Sequence, residues 1–292
     1  INGDLKSEPL TASWFNQPLN VDFSTKEGAK AYQVAVNLNG NWQPAKTGVL
    51  PAAVNEALSG SVAWDGKVGI ELPYHAGATY NVELNGDLKN VSSHLPSPLA
   101  KPAGEPLAVN VKVDGNLNSF ELTGQAGADN HFNSRWLLGQ NLTLDRAIWA
   151  ADSKTLPPLP EQSGVELNMP PMNGAEWLAL FQKGAAESVG GAASFPQHIT
   201  LRTPMLSLGN QQWNNLSIVS QPTANGTLVE AQGREINATL AMRNNAPWLA
   251  NIKYLYYNPS VAKTRGDSTP SSPFPTTERI NFRGWPDAQI RC

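Results

Sequence analysis

Four histidines, one cysteine and a thin scatter of carboxylates are the residues of this 292-residue chain best suited to chemistry. His75, His94, His131 and His198 lie far apart, and none has a second ligand at metal-site spacing. Cys292 stands at the last position, with no other cysteine to pair with and no setting for a nucleophile. No serine occupies a nucleophile elbow, and no glycine-rich loop joins a strand to a helix to cradle a phosphate. The carboxylates fall singly on polar positions, and nothing nominates a pair for glycoside hydrolysis. Arg265-Gly266-Asp267 is too short a match to argue adhesion. The Asn-x-Ser/Thr triplets at Asn90, Asn141, Asn215, Asn225 and Asn237 follow from polar–apolar alternation as readily as from glycosylation. Nine tryptophans could stack on sugars, yet Trp64, Trp136 and Trp213 sit in strand-like runs where packing is the ordinary role. The expectation is a chain without catalytic residues, metal or cofactor.

The elements that carry these residues are strands. Tyr80 to Asn85, Leu107 to Asp114, Val68 to Leu72, Asn141 to Asp145, Leu216 to Ile218 and Ile236 to Leu240 alternate apolar and polar side chains. A period of two puts neighbours on opposite faces of a sheet, so each strand has one apolar and one wet side. Strand-forming runs recur about every ten residues, with Gly, Asn and Asp at the turns, as in a meander, sandwich or barrel. A helical turn is expected within Leu50–Leu58. One convincing helix is expected at 174–183: Asn173 caps it, Glu176 completes a capping box, and Trp177, Leu180 and Phe181 share a face. So long a sheet must cover its apolar face, close on itself, or hold something there.

A net charge of −3 and a pI near 5.8 give no electrostatic case for nucleic acid. The chain opens at Ile1 without methionine and stops inside a strand-like run, as expected of an internal piece of something longer. Residues 184–195 and 263–278 read as flexible connections, dividing the chain into a first strand part with the helix, 1–183, and a second strand-repeat part, 196–292. The second part carries a weak repeat of strand pairs, MLSLGNQQWNNLSIV being one, which suits a sheet that grows by addition.

The run DLKNVSSHLPSPLAKPAGEPL, with LSGSVAWDGKVGIELP before it and GVELNMPPMNGAEWLALF after it, resembles the YhdP branch of the AsmA-like proteins. LRTPMLSLGNQQWNNLSIV and EAQGREINATLAM resemble the repeated strand unit of the same group, so the likeness runs in order from about Leu50 to Cys292. The resemblance implies a long curved antiparallel sheet with an apolar inner groove, related to TamB and the bridge-like lipid transfer proteins. It implies a periplasmic segment of a bacterial inner-membrane-anchored protein, touching membrane only through parts outside this chain. The implied task is non-enzymatic: shielding phospholipid acyl chains on their way from inner to outer membrane.

On that reading the groove candidates are Val68, Ile70, Leu72, Tyr80, Val82, Leu84, Val109, Val111, Val113, Leu142, Leu144, Leu206, Leu208, Leu216 and Ile218. Trp177, Leu180 and Phe181 are candidates for a gate or cap. Phospholipid is the expected partner, with other envelope proteins at the sheet ends. The alternatives from pattern alone are a closed sandwich with these residues as ordinary core, a rigid scaffold that binds proteins through its edges, an outer-membrane barrel and a carbohydrate hydrolase.

Overall fold

A computed structural model describes residues 4–48, 50–185, 193–194, 196–259 and 289–291. The chain begins with β1 (Leu10–Trp14), β2 (Gln17–Glu27), β3 (Ala31–Trp42), the single helical turn α1 (Ala52–Asn55) and β4 (Leu58–Gly60). It continues through β5 (Val62–Pro73), β6 (Thr79–Asp87), β7 (Val91–Ser93), β8 (Ala108–Asn116), β9 (Ser119–Ala126), β10 (Asn130–Leu138) and β11 (Leu142–Ala150). After β12 (Gly164–Asn168) and β13 (Met172–Asn173) comes the helix α2 (Gly174–Ala185), then β14 (Ala193–Ser194) and β15 (Ile199–Leu208). β16 (Gln211–Thr223), β17 (Gly226–Gln232), β18 (Ile236–Arg243), β19 (Leu249–Leu255) and β20 (Gln289–Arg291) complete it.

All strands but two join one 18-stranded sheet; β4 and β7 pair separately. The registers run in nearly sequential order from β1 through β2, β3, β5, β6, β8, β9, β10 and β11. They continue through β12, β15, β16, β17, β18 and β19. Among the described residues the first strand never meets the last, so the sheet is open rather than a barrel. The expected long β-sheet is borne out, and most neighbours are antiparallel hairpin partners. It is mixed where β12 pairs β11 and β15 in parallel, with the short β14 and β13 parallel to the same two strands, and again where β20 pairs β19 in parallel. A parallel neighbour needs a crossover, and residues 151–163 supply the one from β11 to β12.

That crossover lies on the polar side. Pro157 O accepts from Asn133 Nδ2 at 3.3 Å, and Pro160 O accepts from an Arg146 guanidinium nitrogen at 3.2 Å. On the opposite side, α2 and the segment 88–107 lie over the same strands. Among the described residues both faces are covered here, and here the small core gathers: Ala151, Met169 and Met172, with Trp149, Leu167, Trp177, Leu201 and Leu206 against them. No large side chain among the described residues falls below 2% exposure. The apolar face over most of the sheet is half-covered, not sealed under a second layer, which excludes the sandwich reading.

α2 begins as expected and runs two residues further, to Ala185. Asn173 Oδ1 accepts from the Ala175 backbone N–H at 3.1 Å, while Glu176 bonds the Asn173 side-chain amide at 2.8 Å instead of its backbone. The expected turn within Leu50–Leu58 is α1. The loop at 263–278, the Arg265-Gly266-Asp267 triplet and Cys292 lie outside the described residues.

The covering segment is anchored by close backbone approach. Gly60 has φ +94°, and a Cβ there would stand 1.9 Å from Asn90 O. Both the left-handed conformation and the contact exclude a side chain. Gly60→Ala is expected to break the β4–β7 pairing and free this segment. Hydrogen exchange should then quicken at Ser93 and His94, whose amides bond Lys101 O and Ala57 O, while β6 amides keep their protection.

Candidate functional site

The strand registers align the apolar residues into rows that cross the sheet. One row passes through Phe23, Val36, Val68, Val82, Val113 and Leu122. It continues through Ser134, Ala147, Val165 and Ile199, then Ser220, Val229, Leu240 and Ala250. The adjacent row holds Val21, Leu38, Gly66, Leu84, Val111 and Gly124, then Phe132, Trp149, Leu167 and Leu201, and ends on Ile218, Ala231, Ala238 and Ile252. Directly paired residues share a face, so both rows lie on one side of the sheet. Their glycines make room for neighbours. A Cβ at Gly66 would stand 2.5 Å from Leu84 Cδ2, and one at Gly124 would stand 2.5 Å from the Phe132 ring. The larger side chains fold over the glycines and keep the surface continuous.

The other face is polar. Asn37 Nδ2 donates to Asp22 at 2.8 Å, Asn110 Nδ2 donates to Asn85 Oδ1 at 2.7 Å, and Lys112 lies 3.7 Å from Glu83. Arg202 and Glu166 pair at 3.0 Å. Exposed pairs of this kind add at most about 1 kcal/mol each. Their role is to keep one face wet.

The structure brings most of the expected residues together. Val68, Val82 and Val113 are mutually paired, as are Leu84 with Val111 and Ile70 with Tyr80; Val109 lies one step further along the same face. Leu72 closes that face at the end of β5 and is 41% exposed. Ile218 joins the second row opposite Leu201, and Leu216, two residues before it, is buried. Leu142 and Leu144 reach the face through a bulge between Arg135 and Trp136, where β11 carries an extra residue. The bulge reverses the alternation, so Ala147 and Trp149 also face the rows while Ile148 turns toward the crossover. Leu206 lies past Pro204 and packs in the small core, whereas Leu208 ends β15 in solvent at 44% exposure.

Sequence reasoning missed Phe23, Val36, Leu122, Phe132, Val229 and Leu240 as members of the rows, although each lies in a strand run that would have nominated it; it missed Trp149 because the bulge reverses the alternation of β11. It missed entirely the role of 88–107, whose many prolines carry no period. This segment lies above β8–β11 and, with them, lines a half-open cleft of about 450 Å³. Trp177 is half-buried against the small core, and its Nε1 donates to Ser97 O at 3.0 Å. Leu180 is half-buried; the Phe181 side chain lies outside the described residues.

A second aromatic concentration stands at the end of the rows near β1. Trp42 and Trp64 meet edge-on at 4.8 Å, and Trp14 stacks on Phe15 at 4.9 Å. Among the described residues no group of His, Cys, Asp or Glu is placed to hold a metal, and no helix is long and apolar enough to cross a membrane.

With the geometry in view, the comparisons decide the family. The family model of the YhdP protein matches residues 1–292. The chain belongs to the YhdP family. It is 98% identical over all 292 residues to the protein of Escherichia coli (strain K12) named intermembrane phospholipid transporter YhdP. The chain spans 23% of that relative's length. No solved structure matches it.

A buried carboxyl in this YhdP-family segment, that of Glu235, has a perturbed pKa. Glu235 is buried, at 5% exposure, where β17 turns into β18. Burial is the largest single influence and would raise its pKa, but the hydrogen bonds it accepts outweigh this in sum, the Asn214 backbone N–H at 2.6 Å being the first of them. It is joined by the side-chain amides of Asn214 at 2.7 Å and Asn258 at 3.0 Å. Together they hold the carboxyl below its ordinary 4.5. The bracket fastens residues 256–258 to β16. Its ionised form adds stability that is present above pH 4.5 and is lost as pH falls through the folded value. Glu235→Gln turns an amide toward donors and should cost about 1–3 kcal/mol at pH 7. Urea titration should show that gap narrowing once the pH drops below 4.5.

Proposed function

We propose that this segment is a non-enzymatic stretch of lipid conduit, its two apolar rows shielding phospholipid acyl chains in transit across the periplasm between inner and outer membranes. The observation that carries this reading is the run of paired, mostly apolar side chains from β2 to β19, left without a second layer over most of its course. Water contact costs an acyl chain about 0.8 kcal/mol per methylene. A chain of some fifteen methylenes therefore meets a barrier on the order of 12 kcal/mol in free solution. A row of half-buried Val, Leu and Phe side chains removes most of that cost without the depth that would trap the lipid.

Geometry suits movement along the rows. Each strand advances the sheet about 4.8 Å, so the rows extend roughly 60 Å from β2 to β19 before twist shortens them. The apolar contacts repeat at every strand with little change in chemistry, so a sliding tail exchanges one set for an equivalent set. Ser134 and Ser220 are the polar interruptions of the first row, and neither is charged. The near-identical relative's name as an intermembrane phospholipid transporter supports phospholipid as cargo and the space between the two membranes as the place; other envelope proteins are proposed as partners at the sheet ends.

Organic extracts of the purified chain should contain phospholipid by mass spectrometry, and photo-crosslinkers at Val82 and Val111 should capture it. Val82→Glu or Val113→Glu sets a charge in the first row and should lower co-extracted lipid severalfold. Lys112→Glu, on the polar face, should leave it unchanged. Equal lipid content in all three variants would rule out the rows as the lipid path.

A further inference from the structure

We infer that the cleft between residues 88–107 and strands β8–β11 is a binding site for a single acyl chain, a capped station on the path proposed above. The inference rests on that reading and narrows it to one place. Over most of their described length the rows are open; here residues 88–107 roof them.

The floor of the cleft is Val109, Val111, Phe132 and Trp149, and its roof includes Leu95 and Leu99. Phe132 lies flat over Gly124 and remains 38% exposed although its neighbours are roofed, so the space above it is unfilled by protein. Size selects the occupant. A cavity of about 150 Å³ accepts a six-carbon benzene ring, so 450 Å³ corresponds to roughly eighteen carbons at the same density. That is room for one long acyl chain. The second tail of a diacyl lipid would then lie on the open row beside it.

The roof is held from three sides. β7 pairs with β4, with Ser59 and Ser92 hydroxyls 2.6 Å apart. Lys101 Nζ donates to Val91 O and Pro102 O, each at 3.0 Å, which closes the roof's own loop. α2 braces it from behind through the Trp177–Ser97 hydrogen bond, while the Lys183–Glu56 ion pair ties the same helix to the residue after α1. Trp149 belongs to both the cleft floor and the core under α2. The helix expected as a gate thus acts as the brace of a roof: moving Trp177 would move the cover over the acyl chain. Lys101 and Glu105 are the charged members of the lining, and the lysine's donors are already turned to backbone carbonyls. The cleft therefore selects hydrocarbon, not a head group.

The test uses the whole chain and a sixteen-carbon fatty acid bearing a diazirine near its methyl end, with labelled peptides mapped after irradiation. Labelling should saturate at one fatty acid per protein in the cleft and concentrate on Val109, Val111, Leu95 and Leu99. Val111→Trp should fill the floor and lower labelling there about tenfold by removing the room for the chain, with labelling near Val229 and Leu240 preserved. Leu99→Trp fills the same space from the exposed roof and serves where the core variant unfolds. Trp177→Ala should speed release of the bound fatty acid without changing labelling at Leu240. Even labelling along both rows, insensitive to either filling variant, would overturn the station and leave the conduit standing. No labelling anywhere on the rows would overturn both.

Discussion

Register between neighbouring strands is the constraint on which everything else in this segment depends. A slip of one residue in any strand turns its whole apolar set to the wet side, and a single slipped strand would cut both rows in two. The molecule holds register without a second sheet to enforce it. Short hairpin turns fix most pairs, polar ladders such as Asn110 with Asn85 and Asn37 with Asp22 lock the outer face, and large side chains fold into glycine gaps on the inner one. Where the hairpin pattern fails, at the parallel step from β11 to β12 to β15, the fold covers both faces and places its small buried core.

The same arrangement explains the modest interior. A compact domain of this length would bury many large side chains completely; here none among the described residues reaches that state. Stability comes instead from a sum of neighbour-to-neighbour terms along the sheet, as in repeat architectures. Half-burial is then not a defect of packing. On the proposed conduit reading, a surface that shields a tail in passing must stay accessible to it, and a row sealed under a second layer could not. The Glu235 bracket belongs to the same economy, fastening the chain after β19 back onto β16 with hydrogen bonds in place of a core.

The roofed cleft adds a local feature to a repetitive surface. The run that carries the family resemblance most specifically, DLKNVSSHLPSPLAKPAGEPL, is the roof itself, not a strand of the sheet. Its irregular sequence is what a cover requires: prolines that cannot join a ladder, and leucines spaced by contacts with the floor instead of by a period. The Trp177 helix and the roof form one unit, so a change at either is felt above Val111 and Phe132.

Alternation alone determined that the chain is a sheet with one apolar face, and it placed Val68, Val82, Val111 and Val113 on that face, because a period of two is a local property of each strand. It also marked α2 with its Asn173 cap, since capping chemistry is local. Which residues line up across strands was not legible, because register is settled by turns and partners many residues away. The bulge at Arg135–Trp136 shows the limit: Leu142 and Leu144 were readable as apolar, but only the extra residue in β11 brings Trp149 to the same face and sends Ile148 away. The roof over β8–β11 was beyond the sequence altogether. A segment without periodicity declares no face of its own, and its position follows from a glycine approach at Gly60, a tryptophan bond eighty residues distant at Trp177, and the unfilled space above Phe132, all of which exist only once the chain is folded.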